Sequence, residues 1–176
     1  MMRALFVLLL LCSMTTAAGA AGRASGEVQI GESLREATLQ GLNGSSRKLS
    51  EFRGKPLIIN VWASWCGPCR AEMASLERLA WLDPGGHFAV IGISTDDFPE
   101  QAGGWLAKSN ATISHFIDTE LQMENMLGAS RLPLTVLVGP DGRVLDKIYG
   151  AHQWDDAESL QLIARRFGVR LGAPPR

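Results

Sequence analysis

Two cysteines, Cys66 and Cys69, with Gly67 and Pro68 between them, are the residues of this chain best placed for covalent chemistry. Ahead of them runs Pro56-Leu57-Ile58-Ile59-Asn60-Val61, an apolar stretch that reads as a buried strand. Behind them Met73 to Leu82 carries its apolar residues at helical spacing. The pair therefore falls at a strand-to-helix junction. The first turn of a helix has unpaired backbone N–H groups and the positive end of the dipole. A thiol at such a place is held as thiolate more readily, its pKa falling from about 8.5 into a range of roughly 3.5–7.5. Pro68 suits an early helical position, where the N–H it lacks has no partner. Cys69, one turn in, lies on the same face, close enough to close a small disulfide ring. One cysteine attacks and one resolves, provided that the Cys66 sulfur is reachable from solvent.

The amino terminus reads as an export signal: Met1-Met2-Arg3, an apolar run from Ala4 to Cys12, then small residues with Ala18 and Ala20 in an A-x-A pattern. The apolar run is short against the ~20 residues of a spanning helix, and Leu11 is too bulky for lipid attachment at Cys12. Cleavage after Ala20 removes Cys12 and leaves Cys66 and Cys69 as the remaining cysteines. Exported proteins live where structural disulfides persist, yet a loop this short constrains the unfolded chain little. The pair reads as one that cycles.

The elements that must position it follow in order. Residues 21–26 form a loose lead, and 27–170 one domain, as suits 176 residues with 46% hydrophobic content. Ala37–Leu42 and Arg47–Leu49 flank Asn43-Gly44, a hairpin signal. Leu57–Ala63 and Phe88–Ser94 are buried strands around the helix from Pro68 to about Leu82. Asp97–Lys108 reads as a helix weakened by Gly103-Gly104. Ser114–Asp118 is a short strand and Glu120–Leu127 a short helix stopped by Gly128. Leu134–Val138 and Val144–Tyr149 pair across Gly139-Pro140-Asp141-Gly142. Asp155–Phe167 is an amphipathic helix, and 171–176 a frayed tail. The result is an α/β fold, a mixed sheet flanked by helices with an extra N-terminal hairpin. In such sheets the ligand crevice lies outside the carboxyl ends of the parallel strands, where the cysteines are.

Trp62-Ala63-Ser64-Trp65-Cys66-Gly67-Pro68-Cys69 resembles the motif of the thioredoxin superfamily, and Glu27 to Phe167 resembles its exported TlpA/ResA-like branch. Leu49-Ser50-Glu51-Phe52-Arg53-Gly54-Lys55-Pro56 and Leu132-Pro133 ahead of a strand belong to the same likeness. The resemblance implies that Cys66 attacks, Cys69 resolves, and Pro133 is a cis proline opposite the pair, aiming the Leu132 backbone at the substrate. It implies a redox-active disulfide and no other cofactor. Asn60 stands where thioredoxin has a titrating aspartate; the TlpA/ResA-like branch instead carries a glutamate matching Glu72, positioned to exchange the Cys69 proton. A solvated first-turn glutamate is the competing reading of Glu72. Trp65, Gly67, Pro68 and Leu132 are the expected substrate contacts. Leu132-Pro133-Leu134-Thr135 departs from relatives that carry smaller or polar residues around the proline, which bears on specificity.

These observations lead to an exported, periplasmic thiol-disulfide oxidoreductase, expected as a monomer that reduces client disulfides, and the resemblance implies clients such as apocytochrome c. The resemblance also implies a membrane thiol-disulfide donor that recharges the protein. The alternatives are a copper-handling or a thiol-oxidising protein of the same fold. Zinc wants four ligands, and no second Cys or His pair is suitably spaced; Met123 and Met126 read as core filling. A peroxidase would carry Thr where Ala63 stands. A net charge of −1 gives no reason to expect nucleic acid. Mass spectrometry of the protein secreted from cells is expected to find Ala21 as its first residue; a chain retaining Met1 or Met2 contradicts the cleavage.

Overall fold

The computed structural model describes residues 26–83 and 85–171. The expected signal segment, nearly all of the lead, and residues 172–176 of the tail lie outside them. Elements run β1 (Thr38–Gly41), β2 (Arg47–Lys48), a 3-10 turn (Leu49–Phe52), β3 (Leu57–Trp62), α1 (Gly67–Trp81), β4 (Ala89–Ser94), α2 (Pro99–Ser109), β5 (Ser114–Ile117), α3 (Gln122–Leu127), β6 (Leu134–Val138), β7 (Val144–Tyr149) and α4 (Ala157–Phe167). They build one mixed sheet in the order β2-β1-β5-β4-β3-β6-β7. β5, β4 and β3 are parallel, and β1, β6 and β7 join antiparallel to their inner neighbours.

β3 explains the layering. All six of its residues are buried, so it lies covered on both faces, as its unbroken apolar run requires. Leu57, Ile59 and Val61 enter a core shared with Met123, Met126 and Leu127 of α3. Ile58 and Trp62 enter the opposite core with Met73, Leu76 and Leu79 of α1, Leu106 of α2 and Leu160 and Ile163 of α4. Strand alternation sends successive side chains to opposite helical layers. Asn60, on the α1 side, is the polar exception.

Local differences from the sequence expectations have local causes. Leu49 starts a 3-10 turn instead of ending β2, because Glu51 turns back to accept the Lys48 N–H at 2.7 Å. α2 runs unbroken through Gly103 and Gly104, since Ala102 and Leu106 anchor its inner face. The chain between Gly31 and Leu34 lies along the start of β7, exchanging Gly31 N–Val144 O and Val144 N–Glu32 O bonds. Gly128 ends α3 in the left-handed conformation, φ 75°, which favours glycine.

β4 carries Gly92 between Asn60 of β3 and His115 of β5. A side chain at Gly92 would collide with the His115 ring, so glycine is required for this close approach. His115 is buried, with no protein partner for either ring nitrogen. Its nearest carboxylate oxygen, on Glu77, is 4.0 Å from Nε2. Burial lowers its pKa to about 4 from 6.5. The unfolded chain therefore takes up this proton first, and stability falls as pH drops from 6.5 to about 4, with no contribution from this group above that window. Urea unfolding of wild type and His115→Leu across that window is expected to differ by up to roughly 3 kcal/mol in acid-induced loss. Parallel curves for the two proteins would contradict the assignment.

Candidate active site

Cys66 is the N-cap of α1, with φ −80° and ψ 105°, extended values that end β3's approach and let the helix begin at Gly67. Its sulfur accepts the Cys69 N–H at 3.2 Å, taking the part that a serine or aspartate side chain plays at other helix starts. Pro68 occupies the first turn, where no backbone donor is lost. The Cys66 N–H donates to Ala63 O at 3.1 Å, closing the turn that leaves β3. Cys66 and Cys69 are joined as a disulfide, with S–S 2.06 Å and Cα–Cα 5.3 Å.

Both halves of this disulfide are buried, which corrects the open Cys66 that the sequence reading required; only a small difference in exposure remains between them. Cys66 keeps 6% of its surface and Cys69 none. Both belong to the core cluster of Trp62, Ala63 and Met73, against which Leu132 packs. The open part of the first turn is Gly67 and Pro68. What access exists is on the Cys66 side.

Beside the disulfide lies a shallow groove. Trp65, Leu121 and Leu132 give it apolar walls, and Asp97, Glu124 and Arg131 give it charge. Trp65, 68% exposed, is by its place next to Cys66 the largest apolar surface at the site. Arg131 is held by its guanidinium lying 4.9 Å from the centre of the Tyr149 ring. The Leu132–Pro133 peptide bond is cis, as the resemblance implied, and Pro133 is buried.

Glu72 is not the solvated first-turn residue of the competing reading. It is 2% exposed, and its carboxylate accepts from three directions. Oε1 takes the Asn60 Nδ2–H of β3 at 2.8 Å, while Oε2 takes the His152 backbone N–H and the Trp154 Nε1–H, each at 3.0 Å. Ser75, one turn on, ties the same loop down by accepting the Trp154 N–H at 3.0 Å. Arg78 adds an ion pair to Asp155. Burial raises the Glu72 pKa, and these donors pull against the shift without cancelling it. Asn60 also donates to Thr135 Oγ1 at 3.0 Å, which links the carboxylate to β6 two residues past Pro133. His152 and Trp154 were missed as Glu72 partners, since no short motif joins residues some 80 positions apart.

Met123 and Met126 lie in the core on the other side of the sheet from the cysteines, which removes them as thioether partners for the sulfurs. Among the described residues no cluster of three or more His, Cys, Asp or Glu is placed to hold a metal ion. No described helix is long and apolar enough to cross a membrane.

A disulfide capping the first helix after a central strand, beside a cis proline, defines a thioredoxin-like thiol-disulfide oxidoreductase of TlpA/ResA type. Residues 29–162 match the Redoxin family model, and the chain belongs to that family. It is similar to the thiol-disulfide oxidoreductase ResA of Geobacillus thermodenitrificans, 26% identical over 129 residues, covering 73% of this chain and 74% of that protein. Among solved structures it resembles a Chlorobium tepidum protein described as a thiol:disulfide interchange protein DsbE, with TM-score 0.73 and 25% identity, covering 80% of this chain and 99% of that one. A thiol-disulfide oxidoreductase from Bacteroides fragilis gives TM-score 0.64 at 25% identity, covering 76% and 98%. The protein is a disulfide oxidoreductase acting through Cys66 and Cys69, with disulfide-containing proteins as its clients.

Removing the Glu72 carboxylate takes the acceptor from the buried Trp154 Nε1–H, from one Asn60 Nδ2–H and from the part-buried His152 N–H, and a buried donor left unmet costs about 1–3 kcal/mol. Glu72→Ala is expected to lose at least about 3 kcal/mol in urea unfolding. Glu72→Gln should stay within about 1 kcal/mol of wild type, because once the Asn60 amide turns over, the glutamine N–H donates to Asn60 Oδ1 while the glutamine oxygen still accepts from His152 and Trp154. Equal losses in the two variants would contradict the clamp.

Proposed function

We propose that this protein is an exported reductase of client disulfides. The observation that carries the reading is the asymmetry of the pair: Cys66 caps α1 and holds the remaining access, and Cys69 is enclosed. In the reduced protein the Cys66 thiolate attacks one sulfur of a client disulfide, forming a mixed disulfide and releasing the first client thiolate. The Cys69 thiol gives its proton to Glu72, three residues along the same helical face, and its thiolate attacks Cys66 Sγ. The second client thiolate leaves, and the Cys66–Cys69 disulfide remains. Two electrons have passed to the client.

Pro133 and the Leu132 backbone form the edge against which an extended client segment lies, with Trp65, Gly67 and Pro68 on the facing side. A membrane thiol-disulfide carrier returns the protein to its dithiol form in the periplasm, and the protein works as a monomer. Clients with closely paired cysteines, such as apocytochrome c, fit a groove whose reactive sulfur is recessed. The Gly-Pro spacer favours the reducing direction, as in thioredoxin near about −270 mV against about −120 mV for the oxidant DsbA.

Turnover of insulin disulfides and of an oxidised Cys-x-x-Cys peptide tests the assignment. Cys66→Ser is expected to lower the rate by at least about 100-fold, and Cys69→Ser to accumulate a mixed disulfide through Cys66. Glu72→Gln should leave the attack unchanged and slow the resolving step about tenfold or more. Turnover retained in Cys66→Ser, or a potential above roughly −150 mV, would contradict a reductase.

A further inference from the structure

Asp96 is a buried carboxylate that neither the resolving chemistry nor the Glu72 clamp uses. It follows β4 by two residues and has no exposed surface. Its oxygens accept three hydrogen bonds: from the Ser64 N–H at 2.8 Å, from Ser64 Oγ–H at 2.6 Å, and from Ser94 Oγ–H at 2.6 Å. The Asp96 N–H in turn donates to Ser94 Oγ at 3.1 Å. The Thr95 N–H donates to Trp62 O at 2.9 Å, so the chain after β4 is bonded to the end of β3 on both sides of the turn.

Ser64 sits in the turn that delivers the cap. Ala63 O accepts the Cys66 N–H, and Ser64 and Trp65 are the two residues between. With both the backbone and the hydroxyl of Ser64 fixed on Asp96, this turn has no freedom to rotate the Cys66 backbone. Thr95 and Asp97, the chain neighbours of Asp96, line the groove with Trp65. One carboxylate thus ties a segment that lines the groove to the turn that leads into Cys66.

We propose that Asp96 is a positioning residue for Cys66: it locks the Ala63–Trp65 turn so that the Cys66 sulfur stays over the first turn of α1. A buried carboxylate costs desolvation, and three hydrogen bonds, two from Ser64 in the turn and one from Ser94 at the end of β4, offset that cost. Geometry and charge act in opposite senses here. A locked cap stabilises the thiolate and with it the reduced form, whereas a bare negative charge nearby would disfavour both. The inference rests on Cys66 being the reactive thiol, as proposed above.

The test equilibrates the full-length protein with glutathione and reads the oxidised and reduced fractions of Cys66 and Cys69 by mass spectrometry. Wild type, Asp96→Ala, Asp96→Asn and Ser64→Ala are compared, with thermal unfolding run in parallel. Asp96→Ala is expected to shift the equilibrium toward the disulfide about tenfold, about 30 mV toward more negative potential. Asp96→Asn, which keeps the shape and an acceptor oxygen, should return to within about twofold of wild type. Ser64→Ala, which keeps the backbone bond, should shift in the same direction as Asp96→Ala and by less, and it decides the matter if Asp96→Ala does not fold. Potentials unchanged in every folded variant, or shifted toward the reduced form in both Asp96 variants, would overturn the inference. A wild-type pair that never exchanges with glutathione would instead overturn the reactivity of Cys66 itself.

Discussion

The hydrogen bond from the Cys69 N–H to the Cys66 sulfur is the contact that the site is built to keep. It places a polarisable atom where a helix start offers unpaired donors and partial positive charge. Everything that gives the pair its chemistry depends on β3 ending, the chain turning once, and α1 beginning in fixed register. β3 is fixed by burial on both faces, with β4 on one side and β6 on the other. α1 is fixed by Met73, Leu76 and Leu79 in the core below it.

Two buried carboxylates then work on opposite sides of that junction. Glu72 lies within α1 and is bonded by β3 and the loop before α4, so the helix cannot slide along the sheet without breaking three hydrogen bonds. Asp96 lies past β4 and holds the turn itself. Their surroundings differ in kind. Glu72 has its pKa raised by burial and only partly restored by the donors around it, a perturbation of the kind that suits a group exchanging a proton. Asp96 is surrounded by short hydroxyl and amide bonds, the condition of a structural anchor. The cis Leu132–Pro133 bond and Thr135 close the third side, Thr135 reaching Glu72 through Asn60.

Much of this was legible before any coordinates. The Cys-Gly-Pro-Cys spacing, the apolar runs of β3 and β4, and the β6–β7 hairpin are local patterns, and each appears with its bounds moved by a residue or so. Pro133 as a cis proline came from the resemblance alone; nothing in the residues around it distinguishes cis from trans. The clamp on Glu72 and the Asp96–Ser64 bonds could not be read, because they join residues 12 to 82 positions apart through the packing of four elements. Leu49 shows the same limit at short range, where one side-chain bond from Glu51 converted an expected strand into a 3-10 turn. Exposure at Cys66 was overread, since a helix start next to a central strand carries core packing along with its open donors.

The ionisation of Cys66 is the quantity on which the chemistry turns. Its direct measurement is the rate of alkylation of Cys66 in the reduced wild-type protein across a pH series, read at that residue by mass spectrometry. A midpoint well below the value of about 8.5 for a free cysteine is predicted. A midpoint at or above that value would mean that the helix start does nothing for the sulfur, and would contradict the assignment of Cys66 as the attacking thiol.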